Sequence, residues 1–463
     1  MKKLSFVASA LILFFFIVGE TEAGSNGDSP QDGEDWIITQ DTELWDEEIS
    51  VKDIIVNLGS KLKLDNVSLS AEGEIEIRGE TTWLNSTIYH QQGIATDNIS
   101  IYDKLEIINS EFTIKPSEEN THPDANRVYL HSGSQFIVSD FDSDPLTPGD
   151  RSIIKTDVSG KGAEAKKINY TVEIGVFPRV SDTVVKIENS MFQYIRAIRF
   201  EGEGSFVQNS SFEEFGLFNV SLNNFVFTNN TVKDSFAYSE LYLEGDYAII
   251  QNNTMINGSW GMHLKGNFTN ISNNAFLDYA FPADYQGGES AVRLSDGHNS
   301  TIQNNYFSNF SIHAITLDRS EDINVYGNNF EDAGGGWHTV MVRSSFRSNF
   351  NNNTFTDCFR DGAPWYHTCL IFYRYNSTVY KGGSHTVENN TFTNYQSAVR
   401  VLSFQDNNTI QNNVFETGFH SVGLWNWPGG ESTAPSGNMI LNNSMNDTSY
   451  PIAFDYHFQG ISG

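Results

Sequence analysis

From about residue 187 a short unit recurs along the chain: KIENSMF, FVQNSSF, FTNNTV, IIQNNTM, ISNNAF, IQNNYF, VYGNNF, NNNTF, VENNTF, IQNNVF and ILNNSM. Its first Asn falls at Asn189, Asn209, Asn229, Asn252, Asn273, Asn304, Asn352, Asn389, Asn412 and Asn442, with Gly327 standing in once. The commonest step is 20 to 25 residues, and the longer steps carry extra Gly, Pro and polar segments. A fixed period interrupted by insertions means one structural coil repeated, with loops let out of it. Each period also holds a second short element with apolar residues at alternate positions: AIRF, ELYL, GMHL, AVRL, AITL, TVMV, CLIF, AVRV, SVGL and PIAF. Alternation of period two with β-branched and aromatic residues predicts strands, and no helical stripe follows the first two dozen residues.

A coil of this length built from short strands and sharp turns is the size of one rung of a parallel β-helix. Stacking such rungs at about 4.8 Å pairs each backbone group with the coil above and below. Asn suits the turn because it tolerates left-handed backbone, and its amide can stack in a ladder of identical amides. The apolar residue that follows, among them Phe192, Phe212, Phe276, Phe307, Phe330, Phe355, Phe392 and Phe415, predicts one buried column. The expected fold class is all-β, a parallel β-helix with loop insertions between rungs.

On this NNxF unit the chain resembles the right-handed parallel β-helix superfamily, clearly over residues 186–456. Pectate-lyase-like enzymes, polysaccharide epimerases, phage tailspikes and periplasmic copper-binding β-helix proteins share that fold, so the resemblance implies architecture more than activity. Residues 36–180 are less regular, but IIVNLGSKLKLDNVSLS and DKLEIINSEFTI read as flatter first rungs with a cap, and residues 181–463 as the regular repeat.

The first 23 residues, MKKLSFVASALILFFFIVGETEA, have the basic start, apolar run and small terminal residue of a secretory signal peptide. An acidic flexible linker is expected over residues 24–35, and no later segment approaches membrane-spanning length. The expectation is therefore a secreted or cell-surface protein. About nineteen N-x-S/T sequons fit a glycoprotein. Some, such as those at Asn229, Asn252, Asn352 and Asn389, arise from turn chemistry alone. A formal net charge of −30 makes nucleic acid and anionic membranes unfavourable partners. That charge is uneven: residues 24–292 carry 18 basic against 42 acidic side chains, residues 293–400 only 8 against 9. The only two cysteines, Cys358 and Cys369, bracket CFRDGAPWYHTC and read as a disulfide at the stem of an insertion. The end of the sequence, on a strand with no amphipathic cap after it, leaves room for a partner or further domain.

Residues between the inward apolar ones of the repeated strand must point to solvent. Read down the stack they place His263, Lys265, Arg293, Asp318, Arg343 and Tyr373 on one face as candidate catalytic groups. Arg400 and Trp425 continue the face, and the insertions add His338, Trp337, Arg360, Asp361, Trp365, His367 and Trp427 as substrate-binding candidates. Aromatic faces cover pyranose rings and charges fix orientation, so a groove of this composition suits a polysaccharide. One expectation is a glycan-binding surface protein. The alternative is a polysaccharide lyase or related enzyme, in which Arg293 or Arg343 neutralises a uronate carboxylate and Lys265, His263 or Tyr373 takes the neighbouring proton. A glycosidase would pair Asp318 with Asp332 or Asp361. His263 and His313 are expected as polar surface residues rather than ligands. No catalytic signature decides among these: the polygalacturonase set is missing, Asp296-Gly297-His298 only echoes it, and the Asp-Pro-His of mannuronan epimerases is absent. Scattered histidines give copper no motif, and acidic turns would accept calcium without a specific ligand set.

Overall fold

The computed structural model describes residues 24–455 apart from 28–29, 92–98, 117–126, 141–150, 159–171, 176–181, 236–240, 259–260, 280–289, 311–312, 334–337, 359–366, 374–381, 403 and 426–434. The expected signal peptide, Trp337, Arg360, Asp361, Trp365 and Trp427 lie outside the described residues. Among the described residues every regular element is a strand, and no helix is long and apolar enough to cross a membrane.

Each rung contributes a strand to each of three stacked parallel faces. In one rung Asn270–Ser272 lies on the first face, Ala275–Tyr279 on the second and Ser290–Ser295 on the third. The next rung repeats the pattern in register, with Ile271 opposite Ile302, Phe276 opposite Phe307 and Arg293 opposite Thr316. Towards the end of the chain the second and third faces fuse into single strands, Thr391–Leu402, Val414–Trp425 and Ser444–Asp455. The rungs begin as early as Trp36–Ile38, and Gly24–Asn26 pairs antiparallel with Thr42–Trp45. One continuous apolar core runs from Trp36 to Val422.

The two asparagines of the repeat have separate duties. The first turns the corner with left-handed backbone, at φ 56° for Asn273 and 53° for Asn304. Gly327, which replaces it once, has φ 66°, so a residue free of Cβ strain fills the one position that lacks Asn. The second Asn is buried and builds the ladder. Asn274 Nδ2 donates to Asn305 Oδ1 at 2.9 Å and to Ile250 O at 3.0 Å, and its backbone N–H donates to the same Asn305 oxygen. The same links recur at Asn230, Asn253, Asn305, Asn328, Asn353, Asn390 and Asn413. Beside this ladder the phenylalanines stack face to face, Phe276 on Phe307 at 4.9 Å and Phe330 on Phe355 at 4.6 Å.

Candidate functional site

The third face carries the candidate residues because its strands keep one register from Tyr242 to Gly423. Tyr242, His263, Arg293, Thr316, Met341, Ile371, Arg400 and Gly423 form one outward column. Two residues further along the strands, Glu244 adjoins Lys265, Ser295 adjoins Asp318, and Asp318 adjoins Arg343, which adjoins Tyr373. The expectation that these outward residues stand in solvent fails in the middle rungs. Thr316, Ser295, Asp318, Arg400, Met341, Ile371 and Leu402 are buried. With neighbours only a rung apart, long side chains lie across one another and exclude water from the strand surface.

Asp318 is the centre of the polar half. Arg343 grips it in a fork, Nε to Oδ1 at 2.9 Å and NH2 to Oδ2 at 2.5 Å, while Arg293 NH2 reaches Oδ2 at 3.1 Å. Burial alone would push the Asp318 carboxyl up, but these hydrogen bonds and charges win and hold it below the usual carboxylate range. Such a group stays ionised at neutral pH and cannot act as the proton donor of a glycosidase pair. Asp332 lies on the second-face strand Asn329–Ala333 and is exposed, so the suggested pairing with Asp318 spans two faces.

His263 and Lys265 divide the proton-handling roles. Burial, then the charges of Arg293 and Lys265, push the His263 imidazole down to about 4, so it is neutral at physiological pH. A ring nitrogen, Nε2, lies 3.1 Å from Ser295 Oγ. Lys265 Nζ donates to the Tyr242 hydroxyl at 2.8 Å, and this bond raises its pKa against a smaller opposing effect of burial. Lys265 is thereby fixed as a cation and loses its candidacy as a base. Tyr242 stands in the outward column that the sequence pattern gives, one rung before His263, but carries no sequence signal of its role as the acceptor that fixes Lys265.

The other half of the face is apolar and aromatic. Met341, Ile371 and Leu402 form a buried cluster with Tyr373 and Trp425 packed against it. Above them the Arg400 guanidinium lies 3.8 Å from the Trp425 ring centroid, a cation stacked on an aromatic face.

Three histidines gather at the start of the third-face strands. His313 Nδ1 meets the His338 carbonyl at 2.6 Å, and the two rings stack at 5.9 Å. His367 is buried nearby and acts electrostatically on His338. His313 is therefore a buried residue, not the surface residue expected, and burial pushes it down to about 4. Burial likewise holds His338 well below its ordinary value. Among the described residues no group of three His, Cys, Asp or Glu could hold a metal ion.

The expected disulfide is replaced by two buried free thiols. Cys358 Sγ lies 3.5 Å from Thr339 Oγ1, and burial, then hydrogen bonding with Cys358, raises the Cys369 thiol well above its ordinary value. Cys369 is thus held as a neutral thiol in contact with Cys358, at the stem of the insertion where the sequence placed them.

Residues 215–381 match the family described as a right-handed β-helix region. Solved structures similar to the chain include the periplasmic alginate epimerase AlgG, at 12% identity over 89% of this chain and 78% of that one with a TM-score of 0.40. Tailspike protein 3 of bacteriophage CBA120 shares 12% identity over 85% of this chain and 56% of that one, TM-score 0.44. DFA-IIIase from Arthrobacter chlorophenolicus A6 shares 12% over 70% and 83%, TM-score 0.34. No curated protein matches the sequence. By its strand topology and the matched repeat, the chain is a right-handed parallel β-helix.

Proposed function

We propose that this chain is an exported surface glycoprotein that binds an anionic polysaccharide along its third face. The observation that carries the reading is the composition of one in-register face: Lys265, Arg293 and Arg343, each partly exposed, gathered on a chain of formal charge −30, next to the aromatic and apolar surface of Tyr373 and Trp425. Cations select carboxylate or sulfate groups, and the aromatic surface covers sugar rings. The test is binding of the protein to a panel of uronate, sulfated and neutral polysaccharides. Anionic members are expected to bind, and Arg343→Ala to weaken them tenfold or more; equal binding of neutral members would remove the reading.

A second reading follows from His263. A neutral imidazole flanked by Arg293 and Lys265 fits β-elimination of a uronate. His263 would take the proton beside the carboxylate, the cations would stabilise the charge that develops, the C4–O glycosidic bond would break as the C4–C5 double bond forms, and the leaving oxygen would take a proton from water, with the His263 imidazolium then losing its proton to solvent. Incubation with uronate polysaccharides checks this through the ultraviolet absorbance of the unsaturated product. Product formed by the native protein and lost in His263→Ala establishes a lyase; silence across the panel, with binding retained, leaves a binding protein.

A further inference from the structure

The same face carries a second charged centre towards the beginning of the chain. Glu173 is buried on the third-face strand Val172–Gly175, and three guanidinium groups converge on it: Arg196 Nε at 3.3 Å, Arg127 Nε at 3.7 Å and Arg199 NH2 at 4.0 Å. Two local devices build this cluster. The register slips between Val172 and Glu173, opposite Ile195 and Ala197, so a bulge leaves Arg196 and Arg199 both facing outward from one strand. Gly175 lies directly beneath Arg199, where a Cβ would come within 2.4 Å of the Arg199 carbonyl oxygen and 2.7 Å of its Cβ. Gly175 is therefore what lets the Arg199 strand lie so close. The guanidinium groups are one-fifth to one-third exposed, open to a ligand on the outer side while Glu173 anchors them from within.

We propose that Arg127, Arg196 and Arg199 form a second anion-binding subsite that takes a carboxylate or sulfate of the same polysaccharide held at Arg293 and Arg343. This inference rests on the reading of the third face as a polysaccharide site. Arg199 connects to Arg293 through Asn219, Tyr242 and His263 in a single register column. Four rung steps separate the two, about 19 Å along the axis. A polyanion lying along the stack reaches both centres at once, and a chain shorter than the gap reaches only one. Two linked contacts give avidity that appears abruptly once the ligand spans them.

The experiment is a length series of linear oligouronates, titrated against the protein produced without N-glycans so that the sequon at Asn219 stays bare. The dissociation constant is expected to fall tenfold or more as oligomers pass about 19 Å. In Arg196→Gln/Arg199→Gln that step disappears while short oligomers bind as before. Arg199→Gln alone keeps Arg127 and Arg196 beside Glu173 and tests the same point if the double variant does not fold. Short oligomers that bind without any step, or a step that survives both variants, overturn the second subsite and leave the first intact. Binding by neither short nor long oligomers overturns both.

Discussion

Replacing Asp318 by Asn would leave Arg293 and Arg343 facing one another across a partly buried gap. Removal of one partner from such a pair costs about 3 kcal/mol, which chemical denaturation at neutral pH would register. Histidine chemistry predicts a separate acid response. His313 titrates near 4 in the folded chain against an unfolded value near 6.5, so below 6.5 the unfolded state binds the proton first. Stability then falls as pH drops from 6.5 towards 4, by roughly 3 kcal/mol for this residue. His263, His338 and His385 are depressed too, so His313→Phe should make the profile shallower in that window without levelling it, and an unchanged slope would remove His313 as a contributor. Asp318 acts lower: its pKa is depressed, so its contribution is complete above about 3.8 and fades only as pH falls below that. For the cysteines, burial and the raised Cys369 thiol predict slow oxidation of the folded protein even though the two side chains are in contact. Alkylation in denaturant without reduction, read by intact mass, should therefore add two labels, and no added label would mean that the cysteines have joined.

Within a rung, the two asparagines of the repeat should respond oppositely to substitution. Asn305→Ala strips the Asn274 donors of their acceptor and the Ile271 carbonyl of its donor, all of them buried, and should cost about 3 kcal/mol. Asn304→Gly keeps the left-handed corner and should change stability by about 0.5 kcal/mol or less, as the native glycine at 327 already indicates. Thermal unfolding of both variants side by side checks the contrast. The sequence announced the strands, the column of phenylalanines and the outward register because each depends on periodicity alone. It did not separate the two asparagines, since neighbouring identical letters carry no sign of which is buried. Nor did it show that Asp318 lies between two arginines: the three residues are 25 positions apart at each step, and only rung stacking joins them. Glu173 escaped notice for a different reason: it precedes the regular NNxF repeat, so no repeat unit assigns it to a column, and the extra residue Arg196 lies in the strand stacked on it.

Across the whole molecule, burial differs rung by rung, and the last described rung is among the least buried. Tyr450, Ile452 and Phe454 on Ser444–Asp455 are exposed, whereas His313–Asp318 is buried along its whole length. Backbone amides of Ser444–Asp455 should therefore exchange with solvent faster than those of His313–Asp318, by orders of magnitude in rate, as local opening in a stacked array predicts. Equal protection at both places would mean that the stack opens only as a unit. The corner asparagines carry a further consequence. Asn209 and Asn229 are equivalent positions exactly one coil apart, 20 residues, joined by an amide contact of 3.0 Å. Excising residues 209–228 would join Gln208 to Asn229 with the corner geometry unaltered. The two arginine centres would then stand one rung, about 4.8 Å, closer together with neither of them touched. The fold is in this sense a ruler whose graduations can be added or removed singly, and the polymer length proposed to bridge the two arginine centres is a matter of counting coils.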